Sequence, residues 1–384
     1  MFDSLSPEMA EATRLTRAGR LTDATALIQS LLRGARPGAT ESGTVPTLDL
    51  VPYSVEFADP HPDSPGRTPT ALGATLREAL RGLAGGRAGK SGAAPLPKDA
   101  SFQTHSFSNA AGTRAYKLYI PGCHADGPRP LVVMLHGCTQ SPDDFAAGTR
   151  MNGLAEEYGG FVAYPEQPQS ANCSKCWNWF SQEHQQRDTG EPSLIAGITH
   201  RIIRDHPIDA GRIYIAGLSA GGAAAAVMGA LYPDLYAAAG VHSGLPHGAA
   251  HDLPSAFATM RHGGAGHHGE ASDSRRGTGR IPTIVFHGDQ DTTVHPRNGE
   301  GVVAQSKARG DERVKVERGQ VPGGHAYTRA LHEDSSGSVV CEHWTIHGAG
   351  HAWAGGAPAG TYTDPRGPDA SGEMLRFFLQ CRRG

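Results

Sequence analysis

Residues 215–222 read IAGLSAGG. Before them runs RIYIA (212–216), short, apolar and β-branched; after them comes GGAAAAVMGALY, small-residued and of helical length. That change of pattern predicts strand, turn and helix in succession. Ser219 falls on the turn, flanked by Gly217, Ala220, Gly221 and Gly222. The pattern G-x-S-x-G sets a serine on a sharp, strained bend with its hydroxyl exposed, and such a bend needs small neighbours. With 51 glycines in 384 residues the five letters alone are weak, so the flanking strand and helix carry the reading. A helix starting there points its positive end at Ser219, where it favours a developing negative oxygen. Ser219 is the expected nucleophile.

Working outward, the same alternation continues. Ala115–Pro121, Pro130–Leu135, Phe161–Tyr164, Arg212–Ala216, Ala237–Val241, Thr283–Phe286 and Val339–Ile346 read as strands. Ser193–Asp205, Gly221–Leu231 and Gly372–Cys381 read as helices. Apolar strands alternating with helices predict an α/β fold, a mostly parallel sheet covered by helices on both faces. The His- and Gly-rich stretch 246–280 interrupts this and is expected to be a flexible loop.

A nucleophilic serine needs a base and a group to orient it. IVFHGDQDTTVHP ends a strand in a turn with Asp289 and Asp291. Asp291 is the expected triad acid, Asp289 the alternative, with turn stabilisation as its other role. IHGAGHAWAGG then offers His347 and His351; His351, among glycines that let the loop bend, is the expected base, and His347 a structural residue. The order Ser, Asp, His is that of α/β-hydrolases. The oxyanion hole needs the N–H after the serine, here Ala220, and one from the loop after an early strand. VVMLHGCTQS supplies that loop, and Cys138 is the expected second donor.

Net charge is −3, which offers no argument for nucleic acid. No run reaches the length of a membrane span, and the first residues lack a basic n-region followed by an apolar core, so a cytoplasmic protein is expected. Residues 1–35 read as a helical pair, 36–100 as a Pro/Gly-rich linker and 101–384 as the catalytic domain. Trp177, Trp179, Trp353 and Gln140 are candidates for substrate contact, the tryptophans as an apolar wall; Gln167 and Asn178 are further polar candidates. Cys173-x-x-Cys176 permits a zinc site completed by Cys341, His343 or His347. A disulfide from Cys138 to Cys176 or Cys173 is the other reading, and sequence alone does not choose the pairing. No metal and no cofactor is required by the serine chemistry.

LHGCTQ, CWNWF, GLSAGG, FHGDQD and GHAW, in this order over residues 101–381, resemble the polyhydroxybutyrate depolymerase family of esterases, itself similar to feruloyl and acetylxylan esterases. The amino-terminal part resembles intracellular depolymerases with an extracellular-type catalytic domain. The resemblance implies an α/β-hydrolase fold, the triad Ser219, Asp291 and His351, and oxyanion donors Cys138 and Ala220. It implies hydrolysis of a short-chain polyhydroxyalkanoate or its oligomers, with association at a polyester granule as a further expectation. A carbohydrate-linked acyl ester is the rival substrate. A non-catalytic granule-surface or metal-binding protein on the same scaffold is the rival class.

Overall fold

Strands buried on both faces cannot sit at a solvent-facing sheet, and the middle of this chain is built of them. Arg129–Leu135 (β3) is buried at six of its seven positions, and Phe161–Pro165 (β4), Ala238–His242 (β6) and Thr283–Gly288 (β7) at all of theirs. A computed structural model of the chain describes residues 96–123, 127–264, 280–307 and 313–384. Five further strands complete one flank and the centre of the sheet and its other flank: Ser101–Asn109 (β1), Gly112–Ile120 (β2), Ile208–Leu218 (β5), Arg313–Gln320 (β8) and Ala326–Glu333 (β9). Val339–Ile346 (β10) joins them, giving ten strands in the order β1-β2-β4-β3-β5-β6-β7-β10-β9-β8. The six central strands from β4 to β10 pair in parallel, and both flanks are antiparallel. Trp353–Ala354 (β11) and Thr363–Asp364 (β12) form a separate two-stranded ladder.

Successive side chains of a strand alternate between faces, and the two cores follow that period. Leu131, Val133, Leu135, Ile213 and Ile215 face one core, filled by Ile195, Ile198 and Ile202 of Gly190–Asp205 (α3) and by the alanines of Ala220–Leu231 (α4). Val132, Met134, Tyr214 and Ala216 face the other. There they meet Phe145 of Pro142–Thr149 (α1), Met151 of Met151–Tyr158 (α2) and Met374, Phe377 and Phe378 of Ala370–Gln380 (α6). Helices therefore cover both faces, as the strand composition requires.

Within the described residues, each predicted strand and helix is present with ends displaced by a few residues. The stretch 246–280 departs from expectation. It contains the helix Leu253–His262 (α5), capped by a reciprocal pair in which Asp252 accepts from the Ser255 N–H and the Ser255 hydroxyl accepts from the Asp252 N–H. The capping box and Pro254 in the first turn were the available signals. Residues 265–279, the helical pair 1–35 and all of the linker before residue 96 lie outside the described residues. Among the described residues, no helix is long and apolar enough to cross a membrane.

Candidate active site

The carboxyl ends of the parallel strands converge on one edge, where open α/β sheets place ligands. β5 ends at Leu218, and Ser219 follows with φ 58° and ψ −120°, a conformation that L residues rarely adopt. Two contacts hold it there: its N–H donates to the His242 carbonyl at 2.9 Å, and its own carbonyl accepts from Ala223 N–H at 2.9 Å. The bend is possible because its neighbours are bare. A Cβ on Gly221 would lie 2.5 Å from the His136 carbonyl oxygen, and one on Gly217 would lie 2.7 Å from that of Leu135. Among the described residues, the hydrogen bonds of Ser219 are those of its backbone.

β3 delivers the second loop, His136-Gly137-Cys138. A Cβ on Gly137 would sit 3.7 Å from the Ser219 Cβ, which measures how closely this loop passes the serine. Cys138 lies between two occupied amides: Gly137 N–H donates to Gln140 Oε1 at 2.9 Å, and Thr139 N–H to the Ser174 carbonyl at 2.7 Å. Ala220 opens α4, so its N–H is one of the four that a helix cannot pair internally. His136 is fully buried. Its Nε2 accepts the Gln167 N–H at 3.1 Å, which leaves Nδ1 to donate to the Gly137 carbonyl at 2.7 Å. Burial depresses its pKa to about 4.

The expected acid and base arrive on adjacent loops after β7 and β10. The loops are laced together by Asp289 N–H to the Ile346 carbonyl and Gln290 N–H to the Ala349 carbonyl, each 3.0 Å. Two Asp–His pairs result. Asp291 Oδ2 accepts from His351 Nδ1 at 2.7 Å, and its Oδ1 accepts from the N–H groups of Thr293 and Val294 at 2.9 Å. Asp289 Oδ2 meets His347 Nδ1 at 2.9 Å, while His347 Nε2 meets the Thr328 hydroxyl at 2.9 Å. The pairs differ in environment: the Asp291 side chain is fully buried, whereas that of Asp289 is one-third exposed. Burial opposes ionisation of Asp291. The charge of His351 and hydrogen bonds from His287 and His351 outweigh it and hold the carboxyl well below its ordinary pKa. His347 already uses both ring nitrogens, which fits a structural role; Nε2 of His351 remains for a proton from the serine.

His242 joins the two halves of the site. Its carbonyl takes the Ser219 N–H, and its Nε2 accepts the Ala354 N–H at 3.0 Å, three residues beyond His351. The ring stacks on Phe286 and Trp353. Fully buried, it has a pKa depressed to about 3, by desolvation first and by its neighbours His287 and His351 next. Nothing in the sequence flagged it, because a histidine at a strand end has no local signature.

The expected substrate wall lies elsewhere. Trp177, Trp179 and Trp353 are buried, at 0, 6 and 1% exposure. Trp177 donates to the His136 carbonyl at 3.1 Å, Trp353 to the Ser371 hydroxyl at 3.0 Å, and Trp179 packs edge-on against Phe180. Gln140 is buried too: its amide bridges Gly137, Asp144 and Thr361. Gln167 and Asn178 belong to a buried polar network. Trp177, Trp353 and the three amides shape the loops from beneath, since each of their polar tips found a partner inside the protein. The half-exposed aromatic beside the oxyanion loop is Tyr362, whose hydroxyl is 3.5 Å from that of Thr139. The cysteine pairing is Cys138–Cys176, which removes one sulfur of the C-x-x-C from any thiolate zinc set.

Comparison with known proteins finds esterases and depolymerases among the chain's relatives. Poly(3-hydroxyalkanoate) depolymerase C of Paucimonas lemoignei is 32% identical over 271 residues, covering 68% of this chain and 62% of that protein. Feruloyl esterase B of Neurospora crassa is 33% identical over 242 residues, covering 60% of this chain and 80% of the relative. Among solved structures, the acetyl xylan esterase from Aspergillus awamori aligns with a TM-score of 0.52 at 23% identity, over 67% of this chain and 95% of that one, a likeness of fold. The fold is that of the α/β-hydrolases. A profile of the esterase PHB depolymerase family matches residues 114–310, just over half of the 384, and this chain belongs to that family.

Proposed function

We propose that this protein is a serine esterase that cleaves the ester bonds of a short-chain polyhydroxyalkanoate or its oligomers. The observation that carries the reading is the buried Asp291–His351 pair, whose loop is joined through His242 to a strained Ser219. His351 Nε2 takes the Ser219 proton as Oγ attacks the ester carbonyl carbon. The resulting oxyanion is met by the N–H groups of Cys138 and Ala220. Collapse breaks the C–O bond, His351 protonates the departing alcohol, and water then cleaves the acyl-enzyme by the same route. Asp291 holds the imidazole in the tautomer that has Nε2 free and stabilises the imidazolium. The serine–histidine hydrogen bond closes as substrate arrives, as is usual in free enzymes. Tyr362 and Thr139 are the exposed groups that would meet the chain on the oxyanion side. The surface of a polyhydroxyalkanoate granule is the proposed partner, in a cytoplasmic setting.

Support for the polyester comes from the depolymerase relative, of which this chain spans 62%. A second substrate class, feruloyl or acetyl esters of carbohydrate, is favoured by the 80% coverage of feruloyl esterase B. The test is release of 3-hydroxybutyrate from amorphous polyhydroxybutyrate granules, beside methyl ferulate and acetylated xylan. The wild type should release hydroxybutyrate or its oligomers, and Ser219→Ala should lower kcat by about 10³-fold or more. Turnover of the plant-type esters alone would keep the triad and replace the substrate. Undiminished turnover by Ser219→Ala would remove the enzymatic reading.

A further inference from the structure

The oxyanion loop is supported from beneath by a buried carboxylate, Glu191, that the proposed mechanism leaves unused. Glu191 is 3% exposed and stands second in α3, where a helix favours negative charge. Its Oε2 accepts the Asn178 N–H at 2.8 Å; its Oε1 accepts from Asn178 Nδ2 at 2.6 Å and from Gln167 Nε2. Arg114 Nη2 lies 3.7 Å from Oε1. Every group directed at it is a donor, and only a carboxylate supplies acceptors alone at both oxygens.

Gln167 and Asn178 lead from Glu191 to the oxyanion loop along two routes. Gln167 is fully buried; its amide also donates to the Cys176 carbonyl at 3.0 Å and accepts from Arg114 Nε at 3.1 Å, and its backbone N–H holds His136 Nε2. Asn178 accepts from Asn172 Nδ2 at 2.9 Å, and Asn172 Oδ1 in turn receives the N–H groups of Ser174 and Cys176. Segment 172–178 then grips the loop through the Cys138–Cys176 disulfide, the Ser174 carbonyl to Thr139 and the Trp177 indole to His136. Both flanks of the Cys138 N–H therefore trace back to one carboxylate.

We infer that Glu191 is a positioning residue for the oxyanion hole, acting through Gln167 and Asn178 on the Cys138 amide. The inference rests on the esterase reading. An amide in its place would turn a donor toward donors, and the 172–178 segment would shift with the loop it holds. A misplacement of about 1 Å in such a donor set costs about 10²-fold in rate.

The test compares wild type with Glu191→Gln in hydrolysis of p-nitrophenyl butyrate and in inhibition by a short-chain trifluoromethyl ketone, whose serine adduct places an oxyanion in the hole. Glu191→Gln should lose about tenfold to a hundredfold in kcat, keep KM within about twofold, and weaken the ketone Ki by the same factor as kcat. The acid limb of its pH profile should stay in place, because the Asp291–His351 pair lies on other loops. A loss of folded protein alone would lower kcat and leave Ki unmoved, and that result overturns the inference, as does a folded variant with wild-type kcat. If Glu191→Gln does not fold, Asn178→Ala keeps the carboxylate and removes one donor. It should lose about threefold to tenfold in kcat and in ketone affinity together, and unchanged values in the folded variant overturn the inference. A wild type that neither turns over the ester nor binds the ketone removes the esterase reading and the inference with it. An active wild type matched by its variants removes the inference alone.

Discussion

At the scale of single residues the site turns on two aspartates, two residues apart, that serve different histidines. Asp291 is buried with its charge compensated on every side, and Asp289 is partly in water. The consequence is a sharp asymmetry. Asp291→Asn leaves the shape and removes the charge that holds His351, so kcat for a soluble ester should fall about 10⁴-fold. Asp289→Asn breaks a partly exposed pair of the kind that contributes about 0.2–1 kcal/mol, so kcat should stay within about threefold. Steady-state kinetics on the two purified variants decides between them; equal losses would mean that the assignment of roles is wrong. The same scale explains why tryptophans read as a substrate wall are core. Indole nitrogen needs a partner when buried, and His136 and Ser371 supply it for Trp177 and Trp353.

At the scale of elements the strand–turn–helix at 208–231 is the most constrained unit. β5, the elbow and α4 pass so close to β3 that carbonyl oxygens of Leu135 and His136 occupy the space a side chain on residue 221 would need. Backbone cannot yield as the end of a flexible side chain can. Gly221→Ala should therefore cost about 3 kcal/mol or more, read as a lowered urea midpoint or as insoluble protein. A variant with wild-type stability would show that the elbow has slack. This constraint was legible in the sequence, since the run of small residues is its local trace. The helix α5 was legible as well, through Asp252, Pro254 and Ser255, but its capping pattern lay within a stretch whose composition suggested only loop.

For the whole molecule, the buried histidines link the fold to pH. His136 and His242 have pKa values of about 4 and about 3, both depressed by burial, against an ordinary 6.5. The unfolded chain takes up these protons first. Stability is therefore full above pH 6.5 and declines as pH falls toward the folded values, by about 2–3 kcal/mol for each histidine at pH 4.5. Asp291 adds to the decline only below its ordinary 3.8, because its folded pKa is lowered as well. Urea unfolding at pH 7, 5.5 and 4.5 should show this fall, and a flat profile would mean that the two rings are not held neutral. Two cores on opposite sheet faces make the loss global, since His136 and His242 sit at the ends of β3 and β6, the two central strands that flank β5.

The sequence by itself determined the alternation of strands and helices, the serine on its turn, and the order of serine, acid and base. The first two are written in residues within a few positions of one another, where side-chain period and backbone sterics act, and the third in short loop motifs read one after another along the chain. Only the tertiary structure decided which aspartate meets which histidine, since Asp291 and His351 are 60 positions apart. The same holds for the choice of Cys176 over Cys173 and for the turning inward of Trp177, Trp353, Gln140 and Gln167. A polar or aromatic side chain is placed by the partner it finds on folding, and that partner belongs to another segment of the chain. Glu191 is the extreme case: alone it reads as an ordinary charge in the first turn of a helix, and its neighbours make it the support of the oxyanion loop.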